Sequence, residues 1–379
     1  MVSRLIRSNE TMRTALNLPR TAWVDWFELA SASNAYGTWI ETAPPGAAVH
    51  EIPTLSDERN RGWFEERTRI ELDATGLAVI PGGSVLGHNG GQFFDRDRRF
   101  LWNLGTENWR YFGCFYADSA VRLPRIQHIR GTVAVLAHPY AYRNFSHWVF
   151  DVLPKIGIIE QTVGLADVDV VLIGHTNLEY QLDTLEHLGV ARDRVRVFRP
   201  SSHFSADRLL VPRVGGYNNM HQRSWAVDYI LEKFGPKRDA VLGARLLVSR
   251  ADASFRRLLQ EDALFDRLEP LGFERVMLSG VGLPETVGMF RDAQSVVGGF
   301  GSGLMNIAFC VPKTTVVEIV SSAFYNCHHW YLSGERKLKH HVFFGDGPPL
   351  PRGNTNQLTK NISIDVDACH AFVCEACAS

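Results

Sequence analysis

The chain has 379 residues, of which 45% are hydrophobic and 21% charged, and its formal net charge is -1. That length allows two or three domains with sizeable cores, the composition excludes a disordered chain, and the charge balance gives no overall basic field for nucleic acid. No apolar run reaches the ~18 to 20 residues that cross a bilayer and no signal-peptide core follows Met1, so the expectation is a cytoplasmic protein without a membrane span, compatible with peripheral membrane association.

Residues 1–130 read as a leader followed by a β-rich region. Pro44–Pro45–Gly46 marks a turn or linker, and the apolar runs from Gly76 onward are short and cut by glycine and asparagine. Trp102, Trp109, Tyr111, Phe112 and Phe115 are expected to pack a sheet face, with a sugar-stacking surface as the alternative. From Gly131 the rhythm becomes strand then helix. Residues 131–237 are expected to form a first Rossmann-like domain, with strands at 132–136, 168–173, 195–198 and 209–212 and helices from His147, over about 178–188 and over 225–234. Gly235–Pro236–Lys237–Arg238–Asp239 has the composition of a linker. Residues 238–379 repeat the alternation, with strands at 245–248, 275–278, 295–297 and 315–320, helices over about 261–271 and 285–293, and a further helix after Gly303. The expected class is α/β: two doubly wound Rossmann-like domains facing a cleft, with a β-rich N-terminal region and ligands at the carboxyl ends of the strands.

In Asn144–Phe145–Ser146–His147 through Asp151 and Pro154, a histidine and a carboxylate stand four residues apart at the start of a helix, so both project from one face. Asn144 or Ser146 can cap the first turn, and Pro154 limits a regular helix. Taken alone the pair is read as a structural hydrogen bond before it is read as a proton-handling site, because acid–base work also needs a pocket. In the second domain Gly298–Gly299–Phe300–Gly301–Ser302–Gly303 runs from a strand into a helix, a turn that brings backbone close to a diphosphate and aims amides at it. A dinucleotide fingerprint is the rival, but the glycines lack its second spacing. Arg250, Arg256 and Arg257 follow the first strand of this domain, where forked guanidinium donors bind phosphate; a solvated charge run is the bland reading. Glu318 lies on the strand 315–320, where a carboxylate can meet ribose hydroxyls; a surface or helix-capping role is the equal alternative.

Asp95–Arg96–Asp97, Asp167–Val168–Asp169 and Asp365–Val366–Asp367 are each away from a strand's carboxyl end and are read as structural, so no metal-binding acidic pair is assigned. The terminal Cys369, His370, Cys374 and Cys377 fit no common zinc spacing and are read as small residues on a helix.

Together, Asn144-Phe-x-His147-Trp with Asp151, Leu153-Pro154-Lys155, Ser249-Arg250-x-Asp252 with Arg256-Arg257 and Glu261, Gly272-Phe273-Glu274, Gly301-Ser302-Gly303-Leu304-x-Asn306 and Val317-Glu318 resemble the ordered motifs of family 61 glycosyltransferases. The resemblance spans roughly residues 125–345. It implies a GT-B architecture and an inverting, metal-independent glycosyltransferase, a hexosyl- or pentosyltransferase of the type linked to capsular or exopolysaccharide synthesis. No cofactor is implied. The substrates implied are a UDP- or GDP-linked sugar and a glycan or lipid-linked saccharide acceptor. On this reading Arg250, Arg256, Arg257, Gly301, Ser302, Gly303, Asn306 and Glu318 bind the donor, Asn144 lies on the acceptor side, and His147 or Asp151 is the base. Three positions depart from the family pattern: Phe300 replaces the usual histidine, Gln260 the asparagine before Glu261, and Thr286 the glutamine after Glu285. The alternatives are a non-catalytic nucleotide-sugar or glycan-binding subunit of a polysaccharide assembly complex and, more remotely, a nicotinamide-dependent oxidoreductase.

Overall fold

A computed structural model describes residues 23–32, 34–87, 90–104, 122–142, 144–174, 178–215, 221–322, 324–347, 350 and 359–378. The expected leader before Trp23 lies outside the described residues, as do Trp109, Tyr111, Phe112 and Phe115. The chain divides into two compact units, residues 1–46 with 73–218 and residues 47–72 with 219–379.

The first unit is built on one 10-stranded sheet. We label β1 (Thr75–Pro81), β2 (Gln127–Val135), β3 (Val170–Ile173), β4 (Val195–Val197) and β5 (His203–Arg213), with helices α1 (Pro154–Thr162) and α2 (Glu179–His187). Strands β5, β2, β3 and β4 lie side by side in that order, all parallel. Every residue of β3 is buried, as a parallel strand covered on both faces requires. The N-terminal strands continue the same sheet: β1 and Ser84–Leu86 pair antiparallel with β5, and Thr38–Ala43 pairs with β1. Strand β5 begins well before the 209–212 read from the sequence. Its polar first half, His203 to Arg208, looks like a loop until it is paired with β2 on one side and Ser84–Leu86 on the other.

The second unit holds a 6-stranded sheet that is parallel throughout. Its strands are β6 (Ala244–Val248), β7 (Phe273–Val276), β8 (Ala293–Gly299), β9 (Thr315–Val320), β10 (Lys339–Phe344) and the short Thr54–Leu55. Their spatial order is β7, β6, β8, β9, β10, Thr54–Leu55. The chain therefore winds one way from β6 to β7 and the other way from β8 onward, which makes the gap between β6 and β8 the switch point of a doubly wound sheet. Its longer helices are α3 (Ser224–Phe234), α4 (Glu261–Leu268), α5 (Leu283–Arg291), α6 (His328–Arg336) and α7 (Val366–Ala378). Leu247, Val297, Val317 and Ile319 of the sheet pack with Leu264 and Leu268 of α4 and with Cys369 and Val373 of α7.

The helix expected after Gly303 is a 3-10 helix, Ser302–Phe309, in which the Asn306 side chain donates to the Gly303 carbonyl (2.8 Å). Neither α6 nor β10 was evident from sequence, because the histidine-rich stretch from His328 to His341 carries no clean apolar period. Leu247→Ala, which opens a cavity in the core of the second unit, should cost about 2–5 kcal/mol in urea unfolding, whereas Leu242→Ala, at a residue 57% exposed, should stay within about 0.5 kcal/mol.

Candidate active site

At the switch point β6 is followed by Ser249–Arg250 and β8 by Phe300–Gly301. The Glu261 carboxylate, at the start of α4, fixes the first of these ends by accepting from Ser249 Oγ (2.5 Å) and from the Arg250 amide (3.1 Å). The Arg250 guanidinium donates to the carbonyls of Phe255 (3.1 Å) and Arg256 (3.0 Å), which curls the loop that follows. It also lies flat against the glycine turn: a Cβ at Gly301 would stand 1.8 Å from Arg250 Nη1. A side chain at this position would displace the guanidinium from the turn.

Arg256 sits at φ 56, an uncommon backbone for a non-glycine residue, with its guanidinium carbon 5.0 Å from the Phe300 ring centroid. Burial lowers the pKa of both arginines, and the charge of Arg250 pushes Arg256 down further, to about 10. Two half-buried like charges converge beside a backbone turn, an arrangement that an anion relieves. Ser302 and Gly303 flank the same turn and are half-buried, whereas Arg257 is exposed and its backbone is tied to Asn361 and Ile362. Asn306 is buried and spends its amide inside the 3-10 helix.

Glu318 has 0% exposure, so no ribose reaches it in this structure, contrary to the role read from its place on the strand. Its carboxylate instead gathers three side chains below the turn: His329 Nδ1 (2.5 Å), His340 Nε2 (3.1 Å) and Tyr325 Oη (3.1 Å). His329 Nε2 lies 3.1 Å from the Gly301 carbonyl. Both ring nitrogens of His329 thus face oxygen atoms. Burial alone would raise the Glu318 carboxyl, but the charges and hydrogen bonds of His329 and His340 outweigh it and hold it at about 2. Sequence reading missed His329, His340 and Tyr325. The signal was Glu318 itself, since a carboxylate in the fully buried Thr315–Val320 demands partners.

In the first unit Asn144 caps a short helical turn, Phe145–His147, by accepting from the Ser146 amide (3.1 Å). The next turn, Trp148–Val152, is a π-helix, because Pro154 has no amide to continue the α ladder and Leu153 reaches back to the Trp148 carbonyl (3.0 Å). His147 Nδ1 and Asp151 Oδ2 are 2.6 Å apart. The buried Lys155 ammonium donates to the carbonyls of Leu136 (3.3 Å) and Ala137 (2.9 Å), tying the end of β2 to this turn. Burial lowers Lys155 to about 8 against the opposing pull of Asp151.

The same tie brings up His138, which sequence reading overlooked although it follows a strand's carboxyl end. Its ring stacks on His147 (centroids 5.0 Å apart) and its Nε2 stands 3.9 Å from Asp151 Oδ2. Burial holds His138 neutral, down to about 3, although Asp151 pulls the other way.

The fold is a mixed α/β protein with parallel sheets, compatible with a Rossmann-like glycosyltransferase. Residues 145–317 match the family model Glycosyltransferase 61, a match that points to glycosyl transfer, from a donor to an acceptor, as the class of activity. The match falls inside the span over which the sequence motifs were recognised. A search of curated proteins finds no match. None of the helices among the described residues is long and apolar enough to cross a membrane.

Because the folded-state pKa of Glu318 lies below its ordinary 4.5, its ionic contacts stabilise the fold above that value and are lost as pH falls toward about 2. Urea midpoints should therefore drop across this window in the wild type and drop less in Glu318→Gln, which also should lose about 3–5 kcal/mol at neutral pH by leaving two buried histidines without their carboxylate.

Proposed function

We propose that this protein is an inverting glycosyltransferase of the GT-B type, moving a sugar from a UDP- or GDP-linked donor to a hydroxyl of a glycan or lipid-linked saccharide, in polysaccharide biosynthesis. The observation that carries this reading is the meeting of Arg250, Arg256 and the Gly301 turn at the switch point of a parallel sheet. The two guanidiniums and the amides of Ser302 and Gly303 bind the diphosphate and stabilise the charge that develops on it as the glycosidic bond breaks. Fixed cations take the part that a divalent ion plays in other transferases, so the donor site needs no metal. Glu318 holds His329 beneath the turn and shapes the site from below rather than contacting ribose.

His147 is the base. Its Nδ1 side is engaged by Asp151, which leaves Nε2 with a lone pair for the acceptor proton, and its side chain keeps 19% exposure against 9% for Asp151. Asp151 orients the ring and stabilises the imidazolium. The acceptor oxygen then attacks the anomeric carbon from the face opposite the leaving diphosphate, which inverts the configuration. Asn144 holds the turn that presents His147.

Calorimetry with UDP and GDP should show binding of one of them, and Arg250→Ala and Arg256→Ala should each weaken it by about 10- to 100-fold, the worth of a charge-assisted contact. His147→Ala should lower kcat by about two to four orders of magnitude with little change in donor affinity. Binding of neither nucleotide sinks the reading. Binding without turnover over a broad panel of nucleotide sugars moves the protein to the donor-binding subunit.

A further inference from the structure

Three side chains from distant segments of the second unit converge away from the glycine turn. His50 follows the strand Gly46–Val49, His221 stands just ahead of α3, and Glu335 is near the end of α6. One ligand atom from each lies within 4.8 Å of the other two. His221 Nε2 is 2.9 Å from Glu335 Oε1, and Ser224 Oγ donates to the other carboxylate oxygen. Both imidazoles are enclosed, at 4% exposure for His50 and 0% for His221.

An ion pair between the start of α3 and α6 accounts for His221 and Glu335 but leaves two features over. His50 Nε2 and His221 Nδ1 are buried with no hydrogen-bond partner, a costly arrangement for imidazoles that serve only packing. Gly334 lies inside α6, where glycine is a poorer helix former than alanine, and a Cβ there would stand 2.4 Å from His50 Nδ1. The helix gives up a side chain to seat this ring. Tyr331 stacks on His50 (4.6 Å between centroids) and Trp330 Nε1 donates to the neighbouring Glu51 carbonyl (2.6 Å), so the ring is held in orientation as second-sphere groups hold a ligand.

We propose that His50, His221 and Glu335 bind one zinc-class divalent transition-metal ion that pins α6 to the two other segments. Two imidazoles and one carboxylate are a borderline donor set that suits zinc and leaves a fourth position open. His50 also lines a cavity of about 650 Å³, shared with Ile52, Thr54, Lys337 and Lys339, which gives water access to this ring. Donors ~2 Å from a tetrahedral zinc stand ~3 Å from each other, so side-chain adjustments of about an ångström complete the sphere. Helix α6 carries Glu335 at one end and, at the other, the His329 that touches the Gly301 carbonyl. The ion is structural: it holds the helix that supports the turn. This assignment stands apart from the glycosyltransferase reading.

The test uses the full chain, stripped with a chelator and titrated with zinc chloride by calorimetry, with bound metal counted after dialysis. One zinc per chain is expected. Loss of a ligand in His50→Ala or His221→Ala should weaken binding by more than about 100-fold, beyond the effect of outer-sphere changes, and Gly334→Ala should weaken it by at least tenfold. Zinc should raise the Tm of the wild type and not of His50→Gln, a variant that preserves a polar side chain should the alanine variants fail to fold. Cys374→Ser, beside His370 on α7, should bind as the wild type does. No zinc binding, unchanged affinity in folded His50→Gln, or loss confined to Cys374→Ser each overturns the assignment.

Discussion

The close approach of the Arg250 guanidinium to Gly301 is the constraint around which the second unit is arranged. It combines a glycine just past β8's carboxyl end, an arginine just past β6, and parallel winding that makes these two strands neighbours though β7 comes between them in the chain. The Glu261 carboxylate below and the curled loop above then hold the cation where it is. Desolvation makes this costly by itself. On the proposed function that cost favours an anion, because an arginine already stripped of water has less to lose when a diphosphate arrives.

The Gly301 turn is held from below as well. A buried carboxylate is tolerated only when its charge is matched and its oxygens are engaged, and Glu318 meets both demands through His329, His340 and Tyr325. His329 extends this network to the Gly301 carbonyl, so the buried charges and the surface turn are one mechanical unit. The histidine usual in the family at the position of Phe300 is thereby given context. Phe300 packs edge-on to His329 (5.2 Å) and under Arg256, so an imidazole is present at this turn, contributed from α6.

In the first unit the π-turn at Trp148–Val152 follows from Pro154, and it fixes His147 over Asp151. The Lys155 ammonium adds a long-range element by anchoring the end of β2, which delivers His138 against both. On the proposed function this places the candidate base beside a neutral, buried histidine and a low-exposure carboxylate.

Local chemistry determined the strand–helix alternation, the cap at Asn144, the break at Pro154, and the glycines and arginines after β6 and β8, because each is a property of a few adjacent residues. The family motifs could be read for the same reason. The partners of Glu318 come from α6, β10 and Tyr325 ahead of α6, His138 follows a strand whereas the pair it joins is on a helical turn, and His50 is separated from Glu335 by most of the chain. No window of sequence holds such sets. Only the tertiary structure decided them, since a buried carboxylate or imidazole is satisfied by whatever the packed strands and helices carry past it, and that is fixed by the winding of the sheet and not by spacing along the chain.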